Sequence, residues 1–346
     1  MVSNHSQIET ANNIIKALEK GLISPLHNQY KLINNYQADQ EIPNSLKISY
    51  QFSHDRVQQA AYSLLSKHKP EEIHLRIGKL LLDKIPKKKQ EEKIFDIVNQ
   101  INIGYKLIND TLEFEQLSQL NFIAGKKAKA SAAYQAALNY LQFAISLLHK
   151  DKIWKNQYQF SLELYLEAAE SASLSNNFEI MELLIKTIVN NTPFLLDKVK
   201  AYEIKLQAFT SQNKLLEAIE ISLSTLNLLG INIPKDPSKL EIHNSLQETK
   251  ILLQNTVIQN LINLPLITDN QAIASLRILV TMSMAAYLAS FPLFIVTVTQ
   301  QIKLCLNYGN SPESCVAYAF YGQLLSQINE RFDDGYEFGK LALSLL

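Results

Sequence analysis

A histidine followed directly by an aspartate, His54-Asp55, is the pair in this sequence with the clearest chemical potential. An imidazole can donate a hydrogen bond to a phosphate oxygen, and its protonation responds to small changes of surroundings near neutral pH. The same residues also have a purely structural reading, in which Asp55 caps a helix and His54 packs at its start. Arg56 either pairs with Asp55 or a phosphate, or stands as a solvated charge. Other candidates carry less. Lys87, Lys88 and Lys89, and Lys126, Lys127 and Lys129, form short basic runs that read as solvated helix faces rather than nucleic-acid contacts in a neutral chain. His68, His74, His149 and His243 are scattered without metal-ligand spacing. Tyr134, Tyr140 and Phe143 read as core filler, not as a ligand cage. No Ser/His/Asp or Cys/His set stands out, and no Gly-x-x-x-x-Gly-Lys-Ser/Thr loop, His-Arg-Asp or Asp-Phe-Gly sequence occurs. The expectation is a chain that is not an enzyme and holds no metal or cofactor of its own.

The elements that would position such a pair follow from composition. The 346 residues exceed one compact core and suggest two domains or an elongated repeat array. Hydrophobic residues make up 47 %, while Gly (9) and Pro (10) are too few for the turn punctuation of a strand-rich fold. Charges balance, 33 basic against 33 acidic, so no global field draws in nucleic acid or an anionic membrane. Cys305 and Cys315 cannot build a disulfide framework or a zinc cluster, and reduced thiols in the cytoplasm are the expectation. The polar start, Met1 to Ser6, lacks an apolar signal core. The stretch Ile278 to Ile302 carries no charge and is long enough to span a bilayer, but Thr281, Ser283, Ser290, Thr297, Thr299 and Gln300 dilute it. Two buried helices joined at a turn marked by Pro292 account for it as well.

Along the chain, Ile14, Ile15, Leu18 and Leu22 recur at helical spacing with Gly21 as the C-cap. Leu26, Tyr30, Leu32 and Ile33 suggest a second short helix, Lys47 to Phe52 alternates like a strand, and a helix starts at Ser53 to Asp55. Helix, helix, strand, helix is the order of a small winged-helix-like module. Pro70-Glu71-Glu72 opens a helix that stops at Pro86, and another starts near Lys89. From Gly125 to Leu141, small residues stand where two helices must approach closely, with Tyr134 and Tyr140 as larger fillers, which is the pattern of a tetratricopeptide-like hairpin. Polar turns at Ser175 to Asn177 and Ser211 to Lys214 lie about 36 residues apart, near the roughly 34-residue tetratricopeptide period. A loop with two prolines spans Gly230 to Pro237, and helical pairs resume, the last turning at Glu330 to Gly335. The expected fold is all-α: a winged-helix-like module over residues 1–85, then a tetratricopeptide-like solenoid over 86–346, cut short inside its last helix. Apolar residues left bare there, Leu341, Leu343, Leu345 and Leu346, would favour self-association.

Tyr50 to Tyr62, His74 to Leu81, Ile94 to Asn102 and Gly125 to Leu141 together resemble signature stretches of large bacterial, notably cyanobacterial, multi-sensor kinases. Proteins of that family combine a serine/threonine kinase, a predicted ATPase of the signal-transduction (STAND) class, a tetratricopeptide-like arm, GAF or PAS sensors and a histidine kinase. The resemblance covers nearly the whole chain. It implies a segment that begins after the ATPase core and ends before the sensors, coupling the two by binding partner proteins or neighbouring domains. It also implies that His54 touches the phosphates of ATP or ADP held by an upstream ATPase domain. A stand-alone helical-repeat scaffold or adaptor, or a non-functional gene fragment, is the competing reading.

Overall fold

The computed structural model describes residues 7–35, 48–65, 70–148, 150–254, 256–328 and 331–346, and they are predominantly helical. They fall into two compact units, Met1–Lys127 with Ser146–Leu148 and Ala128–Ile145 with His149–Leu346.

In the first unit, α1 (Gln7–Glu19) ends at Gly21, whose φ of +67° lets Leu22 N–H reach back to the Ala17 carbonyl at 3.0 Å. This is the expected glycine C-cap, a Schellman turn that satisfies carbonyls left open at the helix end. The turn leads into β1 (Ile23–Pro25), which pairs antiparallel with β2 (Tyr50–Phe52), Ile23 opposite Phe52. A 3-10 helix, Asn28–Asn35, stands where the second short helix was expected. Of the expected strand, Tyr50 to Phe52 is strand, and Lys47 lies outside the described residues. Then come α2 (Asp55–Leu65), α3 (Pro70–Lys84), α4 (Lys87–Gln90), α5 (Ile94–Ile103) and α6 (Thr111–Ala130). The helix expected from Lys89 is thus divided. Gln90 Nε2 donates back to the carbonyls of Leu82 (2.8 Å) and Ile85 (3.0 Å), which ends α4, and the apolar stripe of α5 starts only at Ile94. Gly78 sets the spacing of α3 and α5: a Cβ there would lie 2.4 Å from Ile101 Cγ1 and 2.9 Å from Ile101 N. Ile94, Ile97, Val98 and Ile101 of α5 are buried, and Asn102 and Asn121 exchange side-chain hydrogen bonds at 2.8 and 2.9 Å between α5 and α6.

The second unit contains α7 (Tyr134–Ser146), α8 (Lys150–Asn156), α9 (Tyr158–Leu174), α10 (Phe178–Asn191), α11 (Leu195–Ser211), α12 (Leu215–Leu228), α13 (Lys239–Leu253), α14 (Asn270–Ala289), α15 (Phe291–Tyr308), α16 (Ser314–Ile328) and α17 (Phe332–Ser344). Neighbours in sequence pair: α9 with α10, α11 with α12, α14 with α15, and α16 with α17. In addition α11 lies against both α9 and α10, and α14 against both α11 and α12. One turn recurs. Ala132, Asn176 and Asn213 take φ of 57°, 61° and 57°, and the next residue's N–H bonds to Ala128, Ala172 and Phe209 at 2.9, 2.8 and 2.9 Å. Two of these are the polar turns expected from sequence. The proline-containing loop ends at Ser238, which forms a capping box with Glu241 at the start of α13.

The charge-free stretch divides as its Pro292 suggested. α14 ends at Ala289, and Ser290 caps α15 with Pro292 in its first turn. By length and composition α14 is able to cross a membrane, but 56 % of its most apolar window is buried inside the fold. Its neighbour α15 buries Phe294, Val298, Ile302 and Cys305 fully, and Thr297 and Thr299 return their hydroxyls to the carbonyls of Leu293 and Ile295 at 2.8 and 2.9 Å.

Candidate functional site

His54 stands where the two-stranded ladder hands over to α2. Ser53 N–H bonds to the Leu22 carbonyl at 3.0 Å, and the His54 carbonyl accepts from Val57 N–H (2.9 Å) and Gln58 N–H (3.2 Å). His54 therefore holds the capping position, and Asp55 is the first helical residue, an acid against the positive end of α2. The cap expected at Asp55 shifts by one residue because the first intrahelical bonds start from the carbonyl of His54. Both side chains are exposed, as is Arg56, and among the described residues the His54 imidazole has no hydrogen-bond partner. A histidine so placed is open to a ligand from outside the chain.

A second histidine, His74, read from sequence as one of a scattered set, has partners. Its Nδ1 lies 2.7 Å from Gln100 Oε1 on α5, and its Nε2 lies 2.9 Å from the Tyr62 hydroxyl on α2. With the proton on Nδ1, the ring donates to the amide oxygen and accepts from the phenol. This chain of contacts fastens the helix that His54 starts to α3 and α5. Both Tyr62 and His74 lie in the stretches that carry the family resemblance, which was the available signal. Beyond His74 on α3, Arg76 and Lys79 line an open cleft of about 610 Å³ with Glu72, Leu75, Leu80 and Leu107. Lys79 is ion-paired to Glu113 at 2.7 Å.

The basic runs are not uniformly solvated. Lys129, with a side chain 20 % exposed, bridges Glu167 and Glu170 of α9 at 2.5 and 2.8 Å. Burial alone would depress its pKa, and the two carboxylates outweigh that and raise it. Lys127 donates to the carbonyls of Glu91 (2.7 Å) and Glu92 (2.9 Å), where it closes the turn after α4. Lys126 sits 5.3 Å from the Phe122 ring centroid. The solvated-face reading is corrected for Lys127 and Lys129: their spacing along α6 turns them toward neighbouring elements. The aromatic reading needs a similar correction. Tyr134, Tyr140 and Phe143 are only half-buried, and Ala137, Leu138, Leu141 and Ala144 form the buried face of α7.

Among the described residues no three His, Cys, Asp or Glu come together as a metal would need. His68 and His149 lie outside the described residues, and His243 is exposed. Cys305 and Cys315 are free and buried, and burial pushes the Cys305 thiol up to about 11. At the end of the chain, Leu341 belongs to the core, whereas Leu343 (72 %) and Leu346 (90 %) are exposed.

No family model matches the chain. It is similar to the hybrid signal transduction histidine kinase G of Dictyostelium discoideum, 29 % identical over 342 residues. The likeness takes in 86 % of this chain but only 10 % of that protein. It supports a relationship to a signal-transduction kinase, and the relative is from an amoeba rather than a bacterium. This chain is similar to about a tenth of the length of a hybrid signal-transduction histidine kinase.

Proposed function

We propose that the chain is a non-catalytic regulatory and protein-interaction segment of a multi-domain signal-transduction kinase, coupling an ATPase switch to downstream sensors. One observation carries this: the similarity runs through most of this chain while occupying a small fraction of a hybrid histidine kinase. On this reading, residues 1–85 are the winged-helix-like end of a STAND-type ATPase, and 86–346 are tetratricopeptide-like repeats. The recurring turns after α9 and α11 and the helix pairs they join support the repeat reading. The repeats bind a partner protein or a neighbouring kinase, ATPase or sensor domain in the cytoplasm. The chain takes no cofactor itself, and ATP or ADP belongs to the ATPase region. His54, exposed at the start of α2 and without a partner among the described residues, senses the phosphates of that nucleotide.

Calorimetry tests this with ATP and ADP titrated into the chain alone, the ATPase region alone, and the two mixed. The expected result is no binding to the chain alone, a nucleotide affinity altered in the mixture, and a return toward the ATPase region's own value with His54→Ala. A mixture that behaves as the sum of its parts would sink the coupling and leave the scaffold reading.

A further inference from the structure

Helix α13 divides its surface between two neighbours. Ser245 and Thr249 are buried on the side that packs on α15, where Ser245 Oγ meets Thr299 Oγ1 at 2.6 Å. Gln247, Lys250 and Gln254 recur at helical spacing on another face and are exposed. That face is one wall of a cleft of about 530 Å³, closed by α16, the start of α17 and the segment from Thr256 to Ile258. The volume falls within the roughly 300–1,000 Å³ of small-molecule sites. Asp334 and Phe338, which line the cleft, lie by helical spacing on the opposite side of α17 from the exposed Phe332 and Tyr336. The cleft is thus walled by elements of this chain. One end is closed where α17 packs on the 3-10 helix Ile258–Asn263, with Gln259 Nε2 donating to Glu337 Oε2 at 2.6 Å.

The floor is apolar and carries one polar group. Leu325 and Tyr321 are 4 % exposed and Phe338 is 2 % exposed. The Phe338 ring stands edge-on to the Tyr321 ring at 4.9 Å, which fixes the direction of the phenol. Among the described residues the Tyr321 hydroxyl has no hydrogen-bond partner, although its side chain is buried. A buried hydroxyl left unpaired is costly, so a group that pairs with it there is favoured. Burial pushes this phenol up to about 12, so it stays protonated and can donate as well as accept. The charges of Arg331 and Asp334 also act on it, which places the hydroxyl toward the mouth of the cleft.

The mouth carries two cations against one carboxylate. Arg331 holds a single oxygen of Asp334 through Nε and one terminal nitrogen. A guanidinium has five donors, so most of Arg331 remains available. Lys250 is exposed and has no carboxylate partner among the described residues.

We infer that this cleft is a binding site for a small aromatic carboxylate carrying a hydroxyl or amine on its ring. The ring lies on Leu325 and Phe338, its substituent pairs with the Tyr321 hydroxyl, and the carboxylate reaches Lys250 and Arg331. An uncharged aromatic would leave the excess cation unused, and a polyanion would be repelled by Asp334. The inference goes beyond the regulatory reading above and does not rest on it.

The test titrates hydroxynaphthoate, a fluorescent compound of this class, into the full chain. Saturable binding on the order of 100 μM is expected. Tyr321→Phe should weaken it about fivefold and leave naphthoate, which lacks the hydroxyl, unchanged. Lys250→Gln should weaken it about threefold and leave naphthol, which lacks the carboxylate, unchanged. Gln247→Trp, at an exposed position on the cleft wall, should block all three compounds. Circular dichroism checks that each variant folds. No saturable binding up to about 2 mM, or binding that the three variants leave unchanged, would overturn the inference. So would a Tyr321→Phe loss equal for hydroxynaphthoate and naphthoate. If Tyr321→Phe fails to fold, the two exposed positions decide: an affinity for hydroxynaphthoate unchanged in both Lys250→Gln and Gln247→Trp overturns it.

Discussion

Cys305 sits fully buried on α15, with Ser314 Oγ 3.3 Å from its sulfur. Burial holds its thiol near 11, above the ordinary value of 9.0. A thiol this protonated is a poor nucleophile, and in the native protein near pH 8 Cys305 should resist a thiol reagent that labels the unfolded chain readily. Equal rates in both states would contradict the burial. The sign of the pH effect follows. Between about 9 and 11 the unfolded thiol loses its proton while the folded one keeps it, so the folded state's advantage is complete below pH 9 and is lost as pH rises through 11. Urea unfolding across that range should show falling stability, with a shallower fall in Cys305→Ala. Nearby, Gly309 takes φ of 109°, and a Cβ on it would lie 2.0 Å from the Pro265 carbonyl oxygen. Asn310 then ties the 260s segment down through Pro265 O (2.8 Å) and Leu261 O (2.8 Å), and the Tyr318 hydroxyl donates to its side-chain oxygen at 3.0 Å. Gly309→Ala should cost at least about 1–3 kcal/mol in denaturant unfolding, and a loss within a few tenths would mean the turn rearranges freely.

Turns decide the pairing of the elements. Asn176 and Asn213 adopt the left-handed conformation that asparagine tolerates better than most residues, which is why sequence located both hairpins. Ala132 adopts the same conformation, with the same bonds, and gives no compositional sign of it. There the pairing of backbone groups at the end of α6 selects the turn against local preference. Asn176→Gly should be neutral within a few tenths of a kcal/mol, and Asn176→Val should lose about 1–2 kcal/mol, both measured by urea unfolding. A neutral valine would show that the turn is not held at a positive φ. The strand β1 was not legible, because Ile23, Ser24 and Pro25 are too few to show alternation, and they become a strand only by pairing with Tyr50 to Phe52.

At the scale of the molecule, one buried cluster runs from Val199 on α11 to Ala342 on α17 and includes Phe294, Met282, Tyr318 and Phe338. Phe294 is wholly inaccessible and packs edge-on against Phe320 and Tyr287, with ring centroids 5.8 and 5.1 Å away. Phe294→Ala should therefore destabilise the second unit by about 3–5 kcal/mol, read by denaturant unfolding, and a loss under about 1 kcal/mol would mean the cluster is not cooperative. Ion pairs fasten helices around this core, Arg277 to Glu203 and Lys205 to Glu182 at 2.9 and 2.8 Å, yet partial exposure leaves each worth little alone.

Periodicity, capping residues and turn residues are local properties, and by themselves they determined that this chain is helical, that α3 stops before Pro86, and where two hairpins turn. The charge-free stretch stayed open between one span and two helices until the structure divided it at Ser290. They also placed His54 at the start of a helix. Whether a side chain of given type faces solvent or a partner depends on elements far away in sequence. Only the tertiary structure joined His74 to Tyr62 and Gln100, turned Lys129 onto Glu167 and Glu170, put Leu341 in the core, and left Phe332, Tyr336 and Leu343 on a bare face. The sequence pattern gives a helix its apolar stripes, but which stripe is covered is decided by the neighbours that arrive to bury it.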